Sequence, residues 1–292
     1  MRTLQWRRCY LSAYRETTMA STWRLVVSPP SSGRVNMAVD EAMLAVARET
    51  RGEWQPTLRI YGWDSTSLSL GRFQDTDRGT DSSLLDRGRC AESGTEIVRR
   101  PTGGRALLHH PGDVTYSIVA RADDSHLGED VIGSYRSVNQ ALVAGLGALG
   151  IRARIRERPP TWPSAGVGFA CFEEAYRHEV YWAGRKLVAG AQRRQGRIVL
   201  QQGTMPGRET SEQIASLLRL DPATRSLLKR DLGERTGTLE RALDQLPSLE
   251  IVVDAMVQGF REAWDVEFDQ RPLTGREEQT AEEIAASNGV VA

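Results

Sequence analysis

Cysteine is scarce in this chain, and neither sign of charge is in excess. The three cysteines, Cys9, Cys90 and Cys171, cannot all pair within the chain. Their wide spacing offers no metal-binding template, which implies free thiols in a reducing cytosol. With 38 basic and 38 acidic residues the formal charge is zero, an argument against a broad nucleic-acid-binding surface. No apolar run approaches the length that spans a bilayer. Internal repeats and low-complexity tracts are lacking too. The first eighteen residues are arginine-rich and have no apolar stretch of signal-peptide length. Residues 1–18 therefore read as a disordered or mis-assigned extension ahead of Met19.

What is present is the composition of an ordinary globular protein, 40% hydrophobic and 26% charged over 292 residues. In NMAVDEAMLAVAR, 36–48, Val39, Met43 and Val46 fall at helical spacing. Asn36 is the expected N-cap there, with Asp40 and Glu41 near the positive end of the helix dipole. Leu58 with Ile60, then Leu68 with Leu70, predict two short strands joined by a Gly-Trp-Asp turn. The clearest helix is 134–149, where Tyr135, Val138, Leu142, Leu146 and Leu149 recur at three and four and Gly150 terminates. IRARI, 151–155, alternates and returns to the sheet. Residues 156–170 are rich in Pro and Gly and predict a loop. HEVYWAGRKLVAGAQ, 178–192, predicts a hairpin around Ala183-Gly184, followed by a strand at RIVLQ, 197–201. Helices dominate beyond. Thr210 with Gln213 and Thr274 with Glu277 both fit a capping box. Val253, Val257, Phe260 and Trp264 form a packing stripe, and the polar last helix is expected on the surface. The sum is α+β: a mixed β-sheet flanked by helices, with a helical tail.

The stretch RRPTGGRALLHHPGDVTYSI, Arg99 to Ile118, concentrates chemistry. Val114, Tyr116 and Ile118 fall at period two and predict a half-buried strand. Gly103-Gly104 then belongs to a loop entering a sheet. Adjacent glycines let backbone approach a bound group with N–H donors exposed; a tight turn between solvated arginines is the plain alternative. Cys171 follows the flexible SAGVGFA loop and precedes FEEAYRHEVYW. Free cysteine is usually a small buried hydrophobe, yet one leaving a glycine-rich loop is placed to be exposed. Lys186, in GRKLVAGAQRR, lies in the hairpin that begins seven residues later. A neighbouring ammonium favours the thiolate, which is the form that attacks an acyl group.

Three separated motifs, RRPTGGRALLH, GRKLVAGAQRR and LQQGT, together resemble the lipoate and octanoate transferase/ligase family, which shares its fold with biotin protein ligases. ACFEEAYRHEV ahead of the lysine resembles the LipM-type octanoyltransferases of that family, with Cys171 in a C-F context and Lys186 fifteen residues later. NMAVDEAM and RIYGWDSTSLSLGRFQ resemble the family's opening segments. The resemblance covers roughly Met19 to Glu277. It implies a catalytic domain over 19–270 and a helical tail over 271–292. It also implies that Cys171 takes octanoyl from octanoyl-acyl carrier protein as a thioester. The acyl group would then pass to the lysine of a lipoyl domain, such as the glycine-cleavage H protein, with no cofactor, ATP or metal. Lys186 would stand at the carbonyl end. Arg100 and His109 would shape the polar end of the acyl site, beside Arg105. Gly103-Gly104 and Gly190-Ala191 would form the two walls of a slot for the chain. Backbone donors would hold the oxyanion, and Arg193 and Arg194 would meet acidic partner faces. Two departures stand out. Gln202 occupies the place of a family histidine, and Arg105 replaces a third glycine more frequent in ligases, which favours transfer. The rival readings are an ATP-dependent lipoate–protein ligase, an amidotransferase between lipoyl domains, and a non-catalytic acyl-binding protein.

Overall fold

The β-branched and aromatic runs form strands that are covered on both faces, and this sets the layering. The computed structural model describes residues 21–50, 54–74, 84–128, 130–158, 160–162 and 166–287. The expected extension at 1–18, with Cys9, lies outside them. The chain begins with β1 (Ser21–Ser31), α1 (Gly33–Glu49), β2 (Thr57–Trp63), β3 (Ser67–Leu70) and α2 (Arg87–Glu92). It continues through β4 (Glu96–Arg99), β5 (Leu107–His109), β6 (Val114–Arg121), α3 (Val131–Ala148) and β7 (Arg154–Ile155). Next come β8 (Val180–Trp182), β9 (Arg185–Lys186), β10 (Ala189–Gln195), β11 (Ile198–Met205) and α4 (Pro222–Arg235). It closes with α5 (Leu239–Leu243), α6 (Leu249–Trp264), β12 (Val266–Gln270) and α7 (Gly275–Ser287).

A six-stranded mixed sheet runs in the order β10-β11-β6-β2-β1-β12, with three-stranded sheets β4-β3-β5 and β7-β8-β9 beside it. One face of the large sheet packs Tyr116, Ile118, Leu58 and Ile60 against α3 and α6. Those helices approach closely because Gly145 and Gly259 have no side chains: a Cβ on Gly259 would lie 2.2 Å from the Gly145 nitrogen. The stripe of Val253, Val257, Phe260 and Trp264 is buried there, as expected. The other face packs Val119 and Leu200 against Val39, Met43 and Leu44 of α1. No helix among the described residues is long and apolar enough to cross a membrane.

Several local expectations change for physical reasons. β6 is buried on both faces, not one, because helices cover both sides. The N-cap of α1 is Ser32, whose hydroxyl accepts from the Val35 N–H. Asn36 is buried one turn in and donates to the carbonyls of Ser31 and Gly62 at 3.1 and 2.9 Å. Asp40 points into the sheet instead of capping a dipole. Gly62 and Trp63 end β2, and the chain changes sheets before β3. IRARI joins β8 in a small sheet, not the main one. The hairpin forms, with its turn at Ala183 and Gly184 in the left-handed region. At Thr210 there is no side-chain cap, and a 3-10 helix, Ser211–Leu217, follows. At Thr274 the capping box is complete: its N–H donates to Glu277 at 2.8 Å and its Oγ1 accepts from the Glu277 N–H at 3.2 Å.

Candidate active site

Cys171 opens a short 3-10 turn, Cys171–Glu173. The loop entering it is held from within: the Glu173 carboxylate accepts the N–H groups of Gly168, Phe169 and Ala170 at 2.7–2.8 Å. It is held from outside as well, because the Cys171 N–H donates to the Ala106 carbonyl at 2.8 Å and the Gln74 side chain donates to the Phe169 carbonyl at 2.9 Å. The sulfur is therefore fixed beside the RRPTGG loop and remains partly exposed.

Lys186 is fully buried in the hairpin, with Nζ 3.7 Å from the Cys171 sulfur. The same ammonium donates to the Cys171 and Glu174 carbonyls at 3.2 and 3.4 Å and pairs with the Glu179 carboxylate at 2.6 Å. Burial alone would lower the lysine pKa, but the negative charge available at Cys171 and Glu179 more than offsets it and holds the ammonium well above its ordinary range. Glu179 itself accepts from the Tyr176 N–H and the Tyr181 hydroxyl. Its role is not legible in the sequence without the strand pairing. The signal was the hairpin register: Tyr181 faces Lys186 across the strands, so Glu179, two residues earlier, shares their face.

The glycine loop faces β10. Gly104 has φ +89°, and a Cβ there would lie 3.0 Å from the Arg100 guanidinium and 3.8 Å from the Ala191 Cβ. Gly71 supports it from behind, since a Cβ on Gly71 would lie 1.9 Å from the Gly104 carbonyl oxygen. The Gly103 and Gly104 N–H groups donate to no partner among the described residues. Arg100 is buried and donates to the carbonyls of Ser69, Gly103 and Arg105 at 2.7–3.1 Å, so it shapes the loop's backbone. Arg105 pairs with Glu174 at 2.6 Å.

His109 lies apart from this group. It stacks on Trp63 with centroids 3.7 Å apart, and its Nε2 is 2.8 Å from the Ser69 hydroxyl. Burial first, then the charge of Arg100, pushes its pKa well below the ordinary histidine value. Gln202, in place of the family histidine, accepts from the Thr102 hydroxyl at 2.8 Å and donates to Asp40. Asp40 also accepts from Arg59, Tyr61 and Ser117. Gln202 thus ties the RRPTGG loop to a buried polar network under the sheet. Arg193 sits 4.0 Å from Glu41, and Arg194 donates to Ser134 at 2.8 Å.

Two hollows meet at Cys171. One is a narrow slot between the large sheet, α1 and the β3–β5 sheet, lined by Ala191, Thr115, Trp63 and His109 among others. The second is a broader cleft under the start of α3, lined by Gly103, Gly104, Tyr135, Tyr176 and Gly190. Gly190 borders both: a Cβ there would touch the Tyr135 ring at 3.3 Å. Cys171 lines both hollows.

A family model, the lipoyl protein ligase A/B catalytic domain, matches residues 32–261. The octanoyltransferase LipM of Kyrpidia tusciae is 37% identical over 269 residues, covering 91% of this chain and 95% of that protein. The octanoyltransferase LipM of Moorella thermoacetica is 34% identical over 268 residues, with coverage of 91% and 95%. Among solved structures, the bipartite lipoate protein ligase of Thermoplasma acidophilum superposes with a TM-score of 0.72 at 24% identity, covering 91% of this chain and 92% of that one. Lipoate-protein ligase A bound with ATP gives a TM-score of 0.68 at 25% identity, with coverage of 91% and 94%.

Proposed function

Since the chain belongs to the lipoyl protein ligase A/B catalytic-domain family, we propose from its site that it is an octanoyltransferase of lipoate biosynthesis working through a cysteine thioester. The relatives named octanoyltransferase support the reaction class. The observation that carries the chemistry is the Cys171 sulfur 3.7 Å from the Lys186 ammonium, where slot and cleft meet.

In this reading the octanoyl chain lies in the slot, and octanoyl-acyl carrier protein presents its thioester from the cleft. The Cys171 thiolate attacks the carbonyl carbon. The oxyanion is met by the free N–H groups of Gly103 and Gly104, each such donor contributing on the order of 3 kcal/mol in characterised acyl-transfer enzymes. Collapse breaks the bond to the carrier's sulfur, which leaves as a thiolate and takes a proton from solvent. A lysine amine of a lipoyl domain, such as the glycine-cleavage H protein, then enters by the same cleft. As the free amine it attacks the acyl-cysteine, forms the amide with loss of one proton to solvent, and returns the Cys171 thiolate. Lys186 stabilises that thiolate in both halves and acts as a charge, not a base, because its pairing with Glu179 keeps it protonated.

An ATP-driven ligase would place the activated acyl group on AMP and leave Cys171 unmodified. The test is intact mass after incubation with octanoyl-acyl carrier protein without ATP. The protein should gain one octanoyl group that hydroxylamine removes. Cys171→Ser should lose transfer to a lipoyl domain, because an alcohol without a dedicated base is a poor nucleophile, while Cys90→Ser should behave as wild type. Full activity in Cys171→Ser, or modification that requires ATP, would assign the ligase reaction instead.

A further inference from the structure

The direction of an N–H group can be read from the carbonyl that shares its peptide plane. A trans peptide is planar, so a carbonyl bonded on one side turns the N–H of the same plane to the other; none of the described peptide bonds is cis. The Thr102 carbonyl accepts the Arg72 N–H at 2.9 Å, which turns the Gly103 N–H away from Arg72. The Gly103 carbonyl accepts Nε and Nη2 of Arg100 at 3.1 and 2.7 Å, which turns the Gly104 N–H away from that guanidinium. Neither glycine has a side chain by which to be held. The residue that can hold the loop just ahead of the pair is Thr102, which is fully buried.

Thr102 is tethered by a chain of bonds whose polarity is dictated at its far end. The Asp40 carboxylate, buried on α1, can only accept. Four donors from β2, β6 and β11 converge on it: Arg59 at 2.7 Å, Tyr61 at 2.8 Å, Ser117 at 2.7 Å and the Gln202 amide nitrogen. Gln202 must therefore turn its nitrogen to Asp40 and its oxygen to Thr102, whose hydroxyl donates to that oxygen at 2.8 Å. Asp40, Gln202 and Thr102 are at most 5% exposed, so these bonds form in a low dielectric where each is stronger than in water. Thr102 lines neither hollow. Its hydroxyl reaches the chemistry through the loop it holds.

We infer that Thr102 and Gln202 are positioning residues: anchored on Asp40, they hold the Gly103 and Gly104 N–H groups in the direction of the oxyanion. This rests on the acyl-transfer reading above. Two ways of modifying Cys171 divide on the point. Acylation passes through a tetrahedral oxyanion, which the two N–H groups meet. Alkylation by iodoacetamide displaces iodide at a saturated carbon and forms no oxyanion, so it reports on the thiolate alone.

The test compares the two rates, with acylation by saturating octanoyl-acyl carrier protein followed in a single turnover by intact mass. Thr102→Val keeps the shape of the side chain and removes the donor. It should slow acylation at least about tenfold, part of the roughly hundredfold loss on deleting an oxyanion donor, and leave alkylation unchanged. Thr102→Ser should restore acylation. Thr102→Ala, which presses no methyl on the buried amide oxygen, should behave as Thr102→Val and keeps the test decisive if that variant does not fold. Ser117 donates to the same carboxylate from β6, so Ser117→Ala should lower the melting temperature and leave acylation unchanged. Wild-type acylation in Thr102→Ala and in any folded Thr102→Val, an equal slowing of alkylation, no recovery in Thr102→Ser, or an equal slowing in Ser117→Ala each overturns the positioning role while octanoyl transfer stands. No adduct on wild type overturns the transfer reading and the positioning role with it.

Discussion

The Lys186 ammonium has three protons and four acceptors within reach: the Glu179 carboxylate, two backbone carbonyls and the Cys171 sulfur. A compact, rotatable point charge fits that arrangement, whereas a planar guanidinium does not. Lys186→Ala should slow alkylation of Cys171 by iodoacetamide at neutral pH by about an order of magnitude. It should also cost about 3–5 kcal/mol of stability, because Glu179 is left buried without its partner. The double variant Lys186→Met with Glu179→Gln separates these effects, regaining stability but not the alkylation rate. Alkylation unchanged in Lys186→Ala would remove the lysine from the chemistry. Cys171 and Lys186 were legible in the sequence because a flexible loop, a nucleophile and a hairpin lysine follow one another closely. Glu179 was not, since an acidic residue gains meaning there only once the strand register is known.

Among elements, the two glycine-bearing loops were legible to different degrees. Gly103-Gly104 is visible as a pair, whereas nothing in the sequence around Gly71 marks it. Its need is non-local: the Gly104 carbonyl, 33 positions away, occupies the place of its Cβ. Gly103 has open space at that position. Gly71→Ala should therefore force the two loops apart, destabilising the protein by several kcal/mol and abolishing acylation, since overpacking against backbone cannot relax. Gly103→Ala should stay within about 0.5 kcal/mol of wild type. Equal melting temperatures for the two variants would show that the loops do not touch. The same limit explains the α1 cap. Asn36 is a good capping residue by type, but burial against Gly62 claimed it, and Ser32 took the role.

For the molecule as a whole, one ion pair joins the two ends of the described chain. Arg24 on β1 makes a bidentate pair with Glu277 on α7, at 2.6 and 2.8 Å, with both side chains buried. A polar surface helix was expected at 275 and beyond, and most of α7 fits that, yet its first turn is anchored in the body. Burial alone would raise the Glu277 pKa, but the hydrogen bonds and charge of Arg24 more than offset this and bring it below the ordinary value. A depressed folded pKa gives stability that is present above the unfolded value, about 4.3 for glutamate, and is lost as pH falls through the folded value. Glu277→Gln should accelerate amide exchange in α7 at neutral pH by loosening its anchor. The difference from wild type should shrink as pH falls from the unfolded value of about 4.3 through the depressed folded value, below which the carboxylate is protonated in both states of the wild type. Identical α7 protection at neutral pH would show that the helix is held by its apolar contacts with α1 alone.

The buried pairing of Lys186 has one more consequence. The chain contains 36 arginines but only two lysines, Lys186 and Lys229, and Lys229 on α4 lines neither hollow. A protein that offers activated acyl groups to amines is exposed to modifying itself, and arginine, always protonated, is inert to that hazard. The amine in greatest danger stands 3.7 Å from the sulfur. As an ammonium it has no lone pair with which to attack, so on the proposed thioester route the Glu179 pair would protect Lys186 from the acyl group. Glu179→Gln should accumulate an octanoyl amide on Lys186 that resists hydroxylamine and maps to the tryptic peptide 186–193; a Lys186 left unmodified in that variant would place the protection elsewhere.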